Sequence, residues 1–209
     1  MRRTIVLLSA SLLALTACTS KNDGTPSASA NTSSQSSSSS SPAEVPGPGV
    51  PKVETPIEIT HFKQAPCDAL TAPQVTELLG SGIVPKPEVK GEAGPQCRWD
   101  SSRVSQAGIG VIFTSVDNRG ITRVYEAQGK EYKFFKPLAS VDGYPVAAYD
   151  AAGDRTSYGN CTIALGTSDN QTVDIDVTLS EENVTKKKDP CLAARDVATM
   201  VLGNLRGAK

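Results

Sequence analysis

Four cysteines in the C-terminal two thirds of the chain constrain its fold more than any other feature. They are Cys67, Cys97, Cys161 and Cys191, and a fifth cysteine, Cys18, lies near the N-terminus. An even number of cysteines in an exported chain is typical of disulfides, and four cysteines allow three pairings. Cys67 and Cys97 are thirty positions apart, as are Cys161 and Cys191. The sequence alone does not choose a pairing, but this spacing favours disulfides within those two pairs, which we predict.

The N-terminus indicates export. Arg2 and Arg3 precede an uncharged, mostly apolar run of eleven residues at positions 5–15. A transmembrane helix needs roughly 20 apolar residues, whereas the apolar segment of a secretory signal has roughly 7–15. The run is followed by Thr-Ala before Cys18, an order that resembles the bacterial lipobox. We therefore predict that residues 1–17 are a signal peptide, and the resemblance implies a diacylglyceryl group on the sulfur of Cys18.

A lipid on Cys18 places the chain at the extracytoplasmic face of the cell membrane, because two acyl chains suffice for stable anchoring. The segment that follows is rich in serine and proline and contains an unbroken serine run at positions 36–41. With few large apolar residues, such a segment does not bury enough surface to offset its ordering entropy. We predict a disordered stalk over residues 18–60 and a single globular domain over residues 61–209.

The charge balance argues against a nucleic-acid partner. The chain has 21 basic and 22 acidic residues, and loss of Arg2 and Arg3 with the signal peptide leaves 19 basic residues. Nucleic-acid binding requires a basic face, which a mildly acidic mature chain does not suggest. The cysteines also lack the close spacing of zinc ligands, and the sequence has no glycine-rich phosphate loop. We therefore predict no metal site and no cofactor.

Two helices are predicted by their start signals. Thr71 and Gln74 form a Thr-x-x-Gln capping box, and Gly80 is placed to end that helix. Asp189 and Pro190 are placed as the N-cap and the first residue of a second helix. This second helix carries apolar residues at helical spacing up to position 205. A third, middle helix is predicted over residues 121–131.

Most of the chain between these helices alternates between apolar and polar residues. Such alternation is typical of half-buried strands, and strands with one solvated face favour antiparallel pairing. We therefore predict an α+β fold, in which an antiparallel sheet packs against two or three helices. The strands are expected around residues 97–99, 109–113, 146–149, 161–165 and 173–179.

Several short motifs follow the lipobox in a distinctive order. Pro-Cys-Asp-Ala-Leu begins at position 66 and Leu-Leu-Gly at 78; Cys-Arg-Trp follows at 97, Gly-Tyr-Pro at 143 and Asp-Pro-Cys at 189. This order resembles the actinobacterial lipoproteins of the domain of unknown function 3558 family, and the resemblance covers about residues 60–205. It implies a cell-envelope lipoprotein. The family has no assigned activity that the resemblance could carry over to this chain.

The residues with reactive or charged side chains are each explained by an ordinary position on the surface or in the core. The single histidine, His61, is expected to be solvated at the edge of the stalk. Asp174 and Asp176 share one strand face, which we expect to be solvated, although paired carboxylates can also serve acid–base catalysis. The lysines at 186–188 are expected in a solvated loop, and Trp99 is expected in the core beside a disulfide.

No catalytic residue is predicted from these patterns. We expect a non-enzymatic envelope lipoprotein with a binding or accessory role, whose partner is an envelope protein, a lipid or a cell-wall component, besides the membrane that Cys18 reaches. The alternative is a carboxylate-dependent envelope hydrolase that uses Asp174 and Asp176.

Overall fold

Seven antiparallel strands form one sheet in the computed structural model, which describes residues 44–101, 107–114 and 116–207. The strands, numbered in chain order, are β1 Lys86–Glu88, β2 Gln96–Asp100, β3 Gly108–Phe113, β4 Phe134–Val141, β5 Tyr144–Asp150, β6 Asn160–Ser168 and β7 Gln171–Thr178. The helices are α1 Thr60–Gln64, α2 Ala72–Leu79, α3 Gly120–Glu126, α4 Glu181–Thr185 and α5 Pro190–Gly207. Across the sheet the strand order is β1-β2-β3-β7-β6-β5-β4. The predicted α+β class is therefore confirmed.

The main hydrophobic core lies between the sheet and α5. In the register of β6 and β7, Ile163 pairs with Ile175, and both side chains are fully buried on the α5 side. Alternation makes every second residue of these strands face α5. Val201 and Leu202 of α5 close the same core and are also fully buried.

Both predicted helix starts are confirmed. The side chain and backbone of Thr71 exchange hydrogen bonds with Gln74, which completes the capping box of α2. That helix ends at Gly80, whose φ of 91° is left-handed and suits glycine. At α5, the backbone N–H of Cys191 donates to Oδ1 of Asp189 at 2.7 Å, so the expected N-cap is in place.

Both predicted disulfides are present. Cys67 bonds to Cys97, and Cys161 bonds to Cys191. Cys67 lies in a 3₁₀ turn over Pro66–Ala69, and its partner lies in β2. Cys191 lies in the first turn of α5, and its partner lies in β6. Each bond therefore joins the start of a helical segment to a strand of the sheet.

The second face of the sheet is partly covered, contrary to the expectation of one solvated face. α3 packs on β5, β6 and β7 there. Ile121 and Val124 of α3 form a second, smaller cluster with Ala147 of β5 and Ala164 of β6, and all four are buried. The middle helix is thus confirmed, but it ends at residue 126 and is shorter than the predicted 121–131.

Packed structure is present before the predicted domain boundary at residue 61. Val53 and Ile59 are buried in the main core, and the backbone N–H of Ile57 donates to the carbonyl of Thr167 at 2.9 Å. The backbone N–H of Gly47 likewise donates to the hydroxyl of a threonine in α3. Predictions on residues 1–43, including the signal peptide and Cys18, lie outside the described residues.

The domain has its own core within residues 44–207, and these residues belong to one compact unit. In the described ranges, no helix combines the length and apolar character needed to cross a membrane.

Candidate functional site

Asp174 lies near the middle of β7, on the sheet face that α3 covers. It pairs with Ala164 of β6 on one side and with Ile112 of β3 on the other. Its side chain points away from α5 because its neighbours Val173 and Ile175 point toward that helix. The residue is only 7% exposed, so the prediction that it lies on a solvated face is wrong.

The two carboxylate oxygens of Asp174 have different surroundings. The hydroxyls of Thr114 and Tyr149 each donate a hydrogen bond of 2.8 Å to Oδ2. Oδ1 is buried, and no described group hydrogen-bonds to it. It is the one buried side-chain nitrogen or oxygen in the described part of the chain that has no partner.

An unpartnered buried acceptor is costly. A buried polar atom without a hydrogen bond costs about 1–3 kcal/mol, and more when it carries charge. Native proteins satisfy nearly all such atoms, so each exception calls for an explanation. The unpartnered oxygen belongs to a residue that lines a cavity, which makes this cavity the candidate binding site.

The cavity that contains Asp174, here called the Asp174 pocket, lies beside α3. Its volume is about 130 Å³. Residues of β5 and β7, together with Thr114 directly after β3, line one part of it, and α3 with the loop before it provides the wall. Its described lining residues are Ala93, Thr114, Val116, Asp117, Asn118, Gly120, Arg123, Val124, Tyr132, Tyr149, Asn170, Thr172 and Asp174.

Burial controls the protonation of the groups in this pocket. It raises the pKa of Asp174, and the hydrogen bonds from Thr114 and Tyr149 oppose that rise. Burial and the nearby carboxyl of Asp174 raise the pKa of Tyr149 well above its usual value. Burial also raises the pKa of Tyr132. Both phenols therefore stay neutral around pH 7.

A chain of ion pairs lies along the pocket wall. Asp117 binds Arg123 at 3.2 Å and Arg119 at 3.1 Å, in each case through Oδ2 of Asp117 and Nε of the arginine. Arg123 also contacts Glu131 at 3.3 Å, and Arg119 contacts Glu126. The guanidinium that lines the pocket is therefore already shared between two carboxylates.

Asp176 does not join Asp174 in the pocket. It is two residues farther along β7 on the same face, but it is absent from the described lining. Its Oδ2 lies 3.3 Å from Nη1 of Arg98, and its Oδ1 accepts a hydrogen bond from Thr162 at 3.5 Å. The two carboxylates proposed as a catalytic pair thus have separate partners.

The remaining sequence candidates have structural partners. His61 belongs to α1 rather than to a linker, and its Nε2 lies 2.8 Å from Oδ2 of Asp68 in an exposed pair. Trp99 is 2% exposed and packs in the main core with Cys97, as predicted. Lys186 follows α4 and pairs with Glu182.

Two other cavities lie on the α5 side of the sheet. One, of about 360 Å³, is lined largely by apolar residues that include Leu78, Ile109 and Leu192. The other, of about 630 Å³, is lined by Lys136, Lys187 and polar residues near the start of α5. Neither contains a buried polar atom that lacks a partner, so neither gives a comparable sign of a missing ligand.

Most residues of the Asp174 pocket were missed by the sequence analysis. Tyr149 is the last residue of a predicted strand. It is an odd number of residues from Val146 and Ala148, so alternation places its side chain on the face opposite α5. Nothing in the sequence indicated that Thr114 or Arg123 would lie near Asp174, because their proximity depends on how α3 and its loop fold over the sheet.

Comparison with known families assigns the chain to one of them. Residues 13–204 match a family described as a protein of unknown function, DUF3558. The chain belongs to this family. The match begins before Cys18 and ends within α5, so this DUF3558 protein carries the family's features across nearly its whole length. No curated protein and no solved structure showed a significant match.

The described residues of the DUF3558 protein also give no indication of a metal centre. No group of three or more histidine, cysteine, aspartate or glutamate side chains is arranged there to hold an ion.

Proposed function

We propose that this protein is a lipid-anchored extracytoplasmic lipoprotein that binds a small ligand in the Asp174 pocket without transforming it. The observation that carries the proposal is Asp174, a residue that lines a cavity and whose buried Oδ1 has no described partner. A ligand donor would satisfy this oxygen and recover the free energy lost on its burial.

The anchoring part of the proposal rests on the N-terminal sequence. The basic residues, the short apolar run and the lipobox order before Cys18 occur in the correct sequence for a lipoprotein signal. The family match begins at residue 13 and so includes the position of Cys18, which supports the same proposal. The paired disulfides support an oxidising location outside the cytoplasm.

The second candidate function is a carboxylate-dependent hydrolase. One observation favours it: burial raises the pKa of Asp174, as in many general acids. Asp176 does not supply the second carboxylate in the same pocket, since it is paired with Arg98. Turnover of glycan, ester or phosphate substrates that is lost in Asp174→Asn would support the hydrolase, and turnover unchanged by that substitution would exclude this mechanism.

Ligand binding can be tested with the chain from residue 19 onward, produced with both disulfides formed. Small-molecule fractions of a cell-envelope extract are added to the ¹⁵N-labelled protein, and amide resonances are followed by NMR. We expect one fraction to shift the resonances of Thr114, Tyr149 and Asp174, and Asp174→Asn to abolish the shifts. If repeated fractions leave the folded protein unchanged, the proposal is wrong.

Asp176→Asn is the matched control for this experiment. It makes the same chemical change on the same strand face, two residues away and outside the described pocket lining. We expect this variant to respond to the fraction as the native protein does.

Anchoring is tested separately through Cys18. Mass spectrometry of the N-terminal peptide from membranes should find the Cys18 sulfur acylated and residues 1–17 removed. Cys18→Ser should move the protein from the membrane fraction to the soluble exported fraction. A free thiol on Cys18 in membrane-bound protein would contradict the lipid anchor.

A further inference from the structure

We infer that the Asp174 pocket selects a ligand bearing a primary ammonium group, which would donate a hydrogen bond to Oδ1 of Asp174 and lie against the rings of Tyr132 and Tyr149. This inference rests on the proposed binding function and names the chemical class of the ligand. Three features of the pocket support it: the polarity of the free atom, the aromatic lining and the balance of charge.

The unpartnered oxygen of the pocket residue Asp174 is a hydrogen-bond acceptor. Oδ2 of Asp174 already receives hydrogen bonds from Thr114 and Tyr149, so the carboxylate needs a donor at Oδ1. A donor that is also positively charged forms a hydrogen bond about twice as strong as a neutral donor does. An ammonium group supplies that donor, and it compensates the buried negative charge as well.

Two aromatic residues line the same pocket. The ring centroids of Tyr132 and Tyr149 are 4.5 Å apart, and both residues line the pocket. The face of an aromatic ring attracts cations, more strongly where water is excluded. The Tyr149 hydroxyl donates to Asp174, so its ring is held close to the carboxylate.

The charge around the pocket is negative on balance. The wall network contains two guanidiniums, of Arg119 and Arg123, and three carboxylates, of Asp117, Glu126 and Glu131. Asp174 adds a fourth carboxylate when it is ionised. The arginines are held in ion pairs, so the excess of carboxylates favours a cation over an anion.

The size of the pocket limits the group that enters it. A volume of about 130 Å³ holds roughly four water molecules, each of which takes up about 30 Å³. An ammonium group with two or three methylene carbons fits this space. The group can belong to a free small amine or form the end of a larger molecule, as in a lysine side chain.

The test uses defined amines and the chain from residue 19 onward. Ethylammonium chloride is titrated against sodium chloride at equal ionic strength, and ethanol serves as the uncharged counterpart of similar size. Amide and tyrosine-ring shifts are followed by NMR. We expect ethylammonium to bind in the millimolar range, as is reasonable for about three non-hydrogen atoms, and to shift Tyr132, Tyr149 and Asp174.

Two substitutions sharpen the result. Asp174→Asn should weaken ethylammonium binding by about tenfold to 100-fold, because it removes a charge-assisted hydrogen bond. Arg123→Gln should instead strengthen binding by about two- to fivefold, because it removes a like charge from the lining. Asp176→Asn should have no effect, and each variant's NMR spectrum reports whether it is folded.

The outcomes separate this inference from the proposed function. If ethanol binds at the pocket as well as ethylammonium does, the ammonium class is wrong but the pocket remains a binding site. If ethylammonium leaves the folded native protein unchanged, or binds Asp174→Asn equally well, the ammonium class is also overturned. Tighter binding of Nα-acetyl-lysine amide than of ethylammonium would identify the ammonium as the end of a larger molecule.

Discussion

Tyr149 and Asp174 are joined by a hydrogen bond that crosses a strand. The phenol of Tyr149 on β5 donates to Oδ2 of Asp174 on β7 at 2.8 Å, although β6 lies between these strands. The residue of β6 that pairs with Asp174 is Ala164, whose small side chain leaves space above the sheet. This contact occupies Oδ2 of the carboxylate, and Oδ1 is the carboxylate oxygen without a described partner.

Asp174→Asn should change how stability depends on pH. Burial raises the pKa of Asp174 above its ordinary value of 3.8, so the native state holds this proton more tightly than the unfolded chain does. As pH rises above 3.8, the unfolded chain ionises first and the native protein loses stability until the raised pKa is passed. Asp174→Asn has no carboxyl group at this position, so the variant does not lose stability in this way.

We therefore expect Asp174→Asn to gain stability relative to the native protein as pH rises from about 4 to 7. The gain is about 1.4 kcal/mol for each unit by which the pKa is raised. Urea unfolding at several pH values measures it. A stability difference that stays constant or falls with pH would contradict the raised pKa.

Tyr149→Phe should raise the pKa of Asp174 further. The hydrogen bond from Tyr149 stabilises the ionised carboxylate of Asp174, so removing that bond makes the carboxyl group harder to ionise. The variant should also lose about 1–3 kcal/mol of unfolding free energy, because it leaves an acceptor without this donor. A ¹³C NMR titration of the Asp174 carboxyl and urea unfolding provide the two measurements.

Tyr158→Phe is the control for that substitution. Tyr158 is 73% exposed, so its hydroxyl can bond to water in both the native and the unfolded state. We expect no change in the pKa of Asp174 and less than about 0.5 kcal/mol of change in stability.

The parts of the fold that the sequence predicted are those with local signals. The capping box at Thr71, the Asp189 cap and the alternation around Ile175 are each written in a few adjacent residues. The disulfide pairing was predicted from equal spacing, and in the fold each disulfide joins the start of a helical segment to one strand, β2 or β6. These features required no knowledge of how distant segments pack.

The candidate site was not predictable because it depends on tertiary packing. Alternation correctly placed Asp174 and Asp176 on the face opposite α5, but solvation of that face was decided by α3. That helix covers Asp174 and leaves Asp176 half-buried beside Arg98. β4 was also missed, because this partly exposed edge strand lacks the apolar–polar alternation of a half-buried strand.

The two disulfides should contribute similar amounts to stability. Each bond joins residues separated by thirty positions, so each removes a similar loop entropy from the unfolded chain. We expect the Cys67→Ala/Cys97→Ala and Cys161→Ala/Cys191→Ala variants each to lose roughly 3–4 kcal/mol in urea unfolding. Cys18→Ser should not change the unfolding free energy. A large loss in this variant would contradict the prediction that Cys18 takes no part in the disulfides.

Gly120→Ala should weaken the wall of the Asp174 pocket. Gly120 begins α3 with a φ of 51°, and a Cβ there would lie 2.4 Å from the carbonyl oxygen of Asp169. Since that oxygen belongs to the backbone, either the loop or α3 has to move. We expect a loss of about 1–3 kcal/mol in urea unfolding and faster amide exchange in α3.

The matched change is Gly203→Ala in α5. Gly203 has no heavy atom within 4 Å of its added Cβ, so the methyl group meets open space. Alanine is favoured over glycine inside a helix, and this variant should gain about 0.5–1 kcal/mol. If the unfolding free energy falls for Gly120→Ala and rises for Gly203→Ala, the loss at position 120 comes from the contact of the added methyl group with Asp169. A loss at both positions would instead point to a general cost of the substitution.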